Sequence, residues 1–265
     1  MLFHPPPTEA EIRYWRAQAR RHEQAARLSG RAQVQAELPR GQREVFQVKI
    51  VLEDSKPPIW RRVLIPANLR LPDLHGVVQL AMGWHASHLY HFMVGIRSEG
   101  LRFYGDPDPL NIDLKQQAEG VFINDLNVPI DHLLVNRKDW IRYEYDFGDG
   151  WIHRLTLEDI HVQPLKLARL PRCLAGKRAC PPEDSGGVPG YEQALAILAD
   201  PAHPEHQELL TWIGPFDPHR FDLEAVNADL VESFDAPAAA AGARPAAAPR
   251  LRRPSPPGPA RSPDR

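Results

Sequence analysis

Cysteine is scarce, with Cys173 and Cys180 the only two in 265 residues. That excludes a disulfide scaffold and fits a reducing compartment. No apolar run approaches the roughly 18 residues of a membrane-spanning helix. The start Met1-Leu2-Phe3-His4-Pro5 lacks the basic beginning and apolar middle of a secretory signal. A cytoplasmic location without a membrane partner is therefore expected. A G-x-x-x-x-G-K-[ST] phosphate loop, an H-E-x-x-H helix and a G-x-S-x-G elbow are all missing. Neither cysteine, nor any serine, has a base identifiable from its neighbours, so nucleophilic catalysis has no positive support. Internal repeats are missing as well.

What is present is a hydrophobic fraction of 43%, enough for a core. The formal net charge of −2 hides a partition along the chain. Before residue 44 eight Arg face four Glu, and after residue 235 six Arg face Asp264 alone. The stretch between holds 18 Lys and Arg against 29 Asp and Glu, an acidic body between two basic arms. Nucleic-acid affinity comes largely from neutralising phosphates, so nucleic acid is expected to meet the arms and not the body.

The arms differ in composition. Thr8-Glu9-Ala10-Glu11 opens like a capping box, and Ile12, Trp15, Ala19, His22 and Ala26 recur at helical spacing up to Ser29-Gly30. Residues 1–43 therefore read as a basic amphipathic helix and linker. Residues 236–265 are Pro-, Ala- and Arg-rich, with Leu251 as their only large aliphatic residue, and read as a disordered tail.

Residues 44–235 read as a single compact α+β domain with an antiparallel sheet and packed helices. Phe46, Val48, Ile50 and Leu52 alternate onto one face of a strand, and Ile59 to Ile65 resumes the pattern after Pro57-Pro58, giving an antiparallel pair. Pro72 followed by Leu74, Val77, Val78, Ala81 and Met82 marks a helix that Gly83 ends. Leu89 to Val94 is a further strand, and Asp125 to Leu134 a short helix. Strands at 141–146 and 151–157 flank Phe147-Gly148-Asp149-Gly150 as a hairpin. Tyr191 to Leu198, Pro204 to Ile213 and Asp222 to Val231 read as helices, with Asp222 as an N-cap.

Three segments could carry chemistry. In Tyr143 to His153, strand alternation puts Glu144 and Asp146 on one face, with Asp149, Trp151 and His153 at or beyond the turn. Carboxylates with an imidazole suit a divalent metal ion, although Asp149-Gly150 equally well just makes the turn while Trp151 and His153 fill the sheet face. In Cys173 to Tyr191, glycines and prolines describe a shaped loop leading into a helix near Tyr191, with Glu183 and Asp184 able to face a cation. The two cysteines lack the close spacing of a zinc knuckle and read more simply as reduced thiols. In His85-Ala86-Ser87-His88-Leu89-Tyr90-His91 the segment extends or turns, so at most one or two imidazoles converge and hydrogen-bonded structural roles are the simpler reading.

Pro58-Ile59-Trp60-Arg61-Arg62, Leu74-His75, Gly83-Trp84, His88-Leu89-Tyr90-His91-Phe92 and the Tyr143 to His153 stretch occur in that order. Pro182-Glu183-Asp184-Ser185-Gly186-Gly187, Gly190-Tyr191, Phe221-Asp222-Leu223 and Asn227 follow. Together they resemble the plasmid pRiA4b ORF-3-like family, which includes proteins labelled transposon passenger proteins. The resemblance covers nearly all of the acidic body and implies a compact α+β domain from plasmid, transposon or chromosomal settings. It implies no catalytic residues, and a resolvase role finds no support in a serine-recombinase arrangement or a basic face.

Three functions remain open. The first is a non-enzymatic binding or accessory module. Its cleft between the 143–153 hairpin and the 182–191 loop, lined by Tyr143, Asp146, Asp149, Trp151, His153, Glu183, Asp184, Tyr191 and His88, recognises a protein or small ligand. The second is a metal-dependent hydrolase, phosphoesterase-like, with Asp146, Asp149, His153, Glu183 and Asp184 as ligands or general base and His88 assisting. The third is an accessory protein tethered to nucleic acid by its basic arms.

Overall fold

The computed structural model describes residues 38, 40–96, 100–105, 120–165 and 169–234. The expected N-terminal helix and C-terminal tail lie outside them. The elements are β1 (Gln42–Leu52), β2 (Trp60–Pro66), α1 (Leu71–Met82), β3 (Tyr90–Ile96), β4 (Gly100–Gly105) and β5 (Gly120–Asn124). After them come β6 (Trp140–Tyr145), β7 (Trp151–Pro164), β8 (Arg172–Lys177), α2 (Gly187–Ala199), α3 (His206–Ile213) and α4 (Leu223–Phe234). The strands form one sheet in the order β5-β4-β3-β6-β7-β1-β2-β8. Every described pairing is antiparallel except β4 with β5. The domain is α+β. No helix among the described residues is long and apolar enough to cross a membrane.

Alternation explains how the sheet buries one face. Phe46, Val48, Ile50 and Leu52 of β1 are buried while Gln47, Lys49 and Val51 between them are only partly covered, and β2 and β7 repeat the pattern. Onto this face α1 lays Leu71, Leu74, Val77, Val78, Ala81 and Met82, and α4 adds Leu230. Pro72 occupies the first turn of α1, where a missing N–H leaves no bond unmade. Gly83 ends the helix in the left-handed conformation at φ 93°. The opposite face is laced by charge: Glu53 accepts from both Arg142 and Arg154, and Arg62 holds Glu158.

The Arg61 cation lies inside the core. Arg61 is 2% exposed, and its Nε donates to the carbonyl of Ala81 at 2.7 Å while its Nη1 donates to the carbonyls of Trp60 and Lys177. Its guanidinium stacks on Phe221 at 4.3 Å. Gly176 makes the room, because a Cβ there would meet Phe221 at 2.6 Å.

Four expectations need correction. The helix expected over 125–134 is a single 3₁₀ turn at Ile130–His132. Val128 precedes Pro129, which disfavours helical backbone there. The loop expected from Cys173 contains β8, whose strand character comes from pairing with β2 and not from its own composition. The helix expected from Tyr191 starts at Gly187. Glu144 and Asp146 do not share a face: Asp146 takes φ 56°, which ends the alternation and turns its side chain toward His88, while Glu144 meets His91 at 2.9 Å on the other side of the sheet. Asp222 does cap α4, accepting from the Ala225 N–H at 3.0 Å.

Candidate functional site

Three segments converge at one rim. The first is the stretch between α1 and β3. Trp84 anchors it by packing on Tyr145, Trp151 and His153 and by donating from Nε1 to the carbonyl of Pro181 at 3.0 Å. The Ala86 N–H donates to Gln79 Oε1 at 2.9 Å and the Ser87 N–H to the Tyr145 hydroxyl at 3.0 Å. These bonds hold the backbone that presents His88.

The second segment is the β6–β7 connection. Tyr145 pairs with Trp151, so five residues make the turn. The Gly150 N–H returns to the carbonyl of Asp146 at 2.6 Å, and Asp146 Oδ1 accepts from Gly148 at 2.9 Å. Short carboxylates bond readily to nearby backbone in this way, which offsets the left-handed backbone at Asp146.

The third is the Pro182–Gly187 loop. Ser185 Oγ donates to the carbonyl of Pro182 at 2.7 Å, and Glu183 Oε1 accepts from the Tyr145 hydroxyl and from Ser87 Oγ at 3.3 Å. Asp149 Oδ2 accepts the Gly186 N–H at 3.0 Å, so a carboxylate from the hairpin serves the start of α2 in place of a local cap. Burial, chiefly, raises the Asp149 pKa; the Gly187 and Gly186 N–H groups pull it down, and Asp146 and Asp184 push it up.

At the meeting point His88 Nε2 lies 3.5 Å from Asp146 Oδ2 and 3.2 Å from Asp184 Oδ1. One donor atom from each of the three residues lies within 4.8 Å of the others. An imidazole and two carboxylates in this arrangement can share a proton or hold a transition-metal ion.

The residues expected at the site divide between the rim and the interior. His88, Asp146 and Asp184 come together, with Asp149 and Glu183 beside them engaged in the bonds just described. His153 is fully buried, with Nδ1 3.1 Å from the carbonyl of Trp151, and burial holds its pKa down to about 3. Trp151 is fully buried too. Tyr143 is buried with its hydroxyl 2.7 Å from His75 Nδ1, and it accepts from Gln79 at 2.8 Å. Tyr191 is 4% exposed and packs against Phe216. Sequence reasoning passed over Tyr145 and Ser87. Alternation puts Tyr145 on the same face as Tyr143, one step nearer the turn, and that step marks it as the tyrosine able to reach the rim.

Comparison with known proteins follows the same body. The family model described as plasmid pRiA4b ORF-3-like protein matches residues 44–225. The uncharacterized protein y4hQ of Sinorhizobium fredii is 37% identical over 191 residues, covering 69% of this chain and 86% of its own. A crystal structure of a protein of unknown function, MM3350 from Methanosarcina mazei Go1, superposes with a TM-score of 0.60 at 33% identity, covering 69% of this chain and 96% of that one. The range matched by the family model includes His88, Asp146 and Asp184, and the chain belongs to the plasmid pRiA4b ORF-3-like family.

Proposed function

We propose that the protein is a cytoplasmic, non-enzymatic binding module that receives a protein segment or small molecule in the recess between the β6–β7 turn and the Pro182–Gly187 loop. One observation carries this reading: His88, Asp146 and Asp184, from three separate stretches of chain, present unlike polar groups at one partly open rim. A cysteine nucleophile gains no support, because burial raises the pKa of Cys173 and Cys180 away from the thiolate form. The plasmid setting in the family's description fits an accessory role on a mobile element. The test is an NMR screen of small molecules and short peptides against the full chain. Hits should perturb the amides of Ser87, His88, Gly148, Asp149 and Gly186 and vanish in Asp184→Ala. Perturbations gathered away from this rim overturn the reading.

A metal-dependent hydrolase is the second reading, favoured by the same three donors with Asp149 or Glu183 as general base. It requires turnover of a phosphoester such as p-nitrophenyl phosphate with added Mn²⁺ or Zn²⁺, abolished by Asp146→Asn; inactivity with both ions removes it. Nucleic acid is assigned to the basic arms, residues 1–43 and 236–265. Binding through them should weaken steeply with salt and be lost on their deletion, and equal binding by the bare body excludes the tether.

A further inference from the structure

We propose that His88, Asp146 and Asp184 form a site for a single divalent first-row transition-metal ion, of which zinc and manganese are the natural probes. This rests on the reading of the rim as the ligand site and names the chemistry of the ligand.

Donor spacing is the first argument. A tetrahedral ion with bonds of about 2.0–2.1 Å holds its ligands about 3.3 Å apart. His88 Nε2 stands 3.2 Å from Asp184 Oδ1 and 3.5 Å from Asp146 Oδ2, so two of the three donor pairs already have that separation. The third pair closes within 4.8 Å, and the Asp184 side chain, 65% exposed, is free to adjust.

The second argument is the state of Asp146. It is 8% exposed, and its Oδ1 is occupied by the backbone N–H groups of Gly148 and Asp149 at 2.9 and 3.4 Å. Its Oδ2 is aimed at His88, and among the described residues no Lys or Arg forms an ion pair with Asp146 or Asp184. A buried carboxylate without a fixed cation is costly, and here a second carboxylate faces it and Asp149 stands next to it.

The donor types select the ion. Calcium and magnesium prefer all-oxygen sites, whereas an imidazole with two carboxylates suits zinc, manganese and their neighbours. The supports that orient metal ligands are in place. Backbone N–H groups fix one oxygen of Asp146, and the bond from Tyr145 to Glu183 anchors the residue before Asp184. The competing state is a metal-free bridge in which an Nε2–H of His88 is shared between the two carboxylates.

Calorimetric titration of the chelator-treated full chain with ZnCl₂ and MnCl₂ decides between them, alongside His88→Ala, Asp184→Asn and the control Glu208→Gln. Far-UV circular dichroism confirms that each variant is folded. The expected result is one saturable equivalent in the wild type, at least about tenfold weaker in His88→Ala and Asp184→Asn, a loss that even outer partners of a ligand can cause. Glu208→Gln, exposed on α3 and outside the rim, should retain it, and Co²⁺ should give the visible bands of a low-coordinate site. Without a saturable equivalent, or with His88→Ala and Asp184→Asn binding like wild type, the metal-free bridge is the answer. If ions fail while small-molecule hits still map to Ser87, His88 and Asp184, only the metal proposal falls and the binding module stands.

Discussion

Tyr145 ties the two halves of the recess together by donating its hydroxyl to Glu183 Oε1 while accepting the N–H of Ser87 at 3.0 Å. Burial raises the pKa of this phenol, so it remains a donor at any ordinary pH. Tyr145→Phe keeps the ring against Trp84 and His88 and removes only the oxygen. The expected loss is about 1.5–3 kcal/mol, the range for a hydrogen bond to a charged group. A double-mutant cycle with Glu183→Ala should return a coupling of about 1 kcal/mol; additivity within about 0.5 kcal/mol would mean the bond is not formed in solution.

The start of α2 depends on glycine for steric reasons. Gly187 has φ +70°, and a Cβ there would collide with the carbonyl of Asp149. A Cβ at Gly190 would collide with the carbonyl of Ser185. Gly187→Ala is expected to lose about 2–4 kcal/mol, since it combines a left-handed backbone with backbone overlap across the recess. Gly83→Ala, at φ +93° with open space around it, should lose only about 1 kcal/mol, as backbone strain alone requires. Equal losses in urea unfolding would show that the hairpin and the loop are not pressed together.

How much of this was legible follows from where the information lies. β1, β2, α1 and the β6–β7 pair are written in local periodicity, because each buries one face and repeats at its own period. β8 is not: Arg172–Lys177 carries a glycine and no alternation strong enough to mark a strand, and it becomes one by pairing with β2. β4 and β5 likewise depend on neighbours. At the site, the convergence of His88 with Asp146 and Asp184 depends on φ values of 56° at Asp146 and 60° at Asp184, and alternation assumes neither. The same assumption placed Glu144 beside Asp146 and carried His153 to the rim, whereas the strand continues through Trp151 and His153 into the core.

Edge protection of β8 is a further consequence of tertiary placement. Asn227 on α4 accepts the N–H of Cys173 at 2.9 Å and donates to its carbonyl at 3.0 Å, acting as one residue of a neighbouring strand. Asn227→Leu exposes this pair of backbone groups to pairing by another chain. The variant is expected to lose about 1–3 kcal/mol and to form larger species on warming, seen by light scattering. Asn227→Asp restores only the acceptor half, so recovery to wild-type behaviour by that change would contradict a two-sided role.

Acid sensitivity should come from imidazoles in the interior. Burial holds His75 and His153 near a pKa of about 3, against 6.5 for an unhindered ring. Between those values the unfolded chain takes up protons that the folded chain refuses, so the free energy of unfolding rises with pH across the window. Their contribution is complete above about pH 6.5 and is lost as pH falls toward 3. Glu158, whose pKa is lowered chiefly by its hydrogen bond with Arg62, adds acid sensitivity only below its ordinary 4.5. Urea unfolding between pH 5 and 7 therefore reads the imidazoles without a contribution from Glu158. His153→Gln keeps a donor for the carbonyl of Trp151 without a titrating ring, and should reduce the number of protons taken up on unfolding at pH 5 by about one. An unchanged slope would mean that the His153 ring can accept a proton while the protein remains folded, which its enclosure by Trp84, Tyr143 and the Arg61 cation opposes.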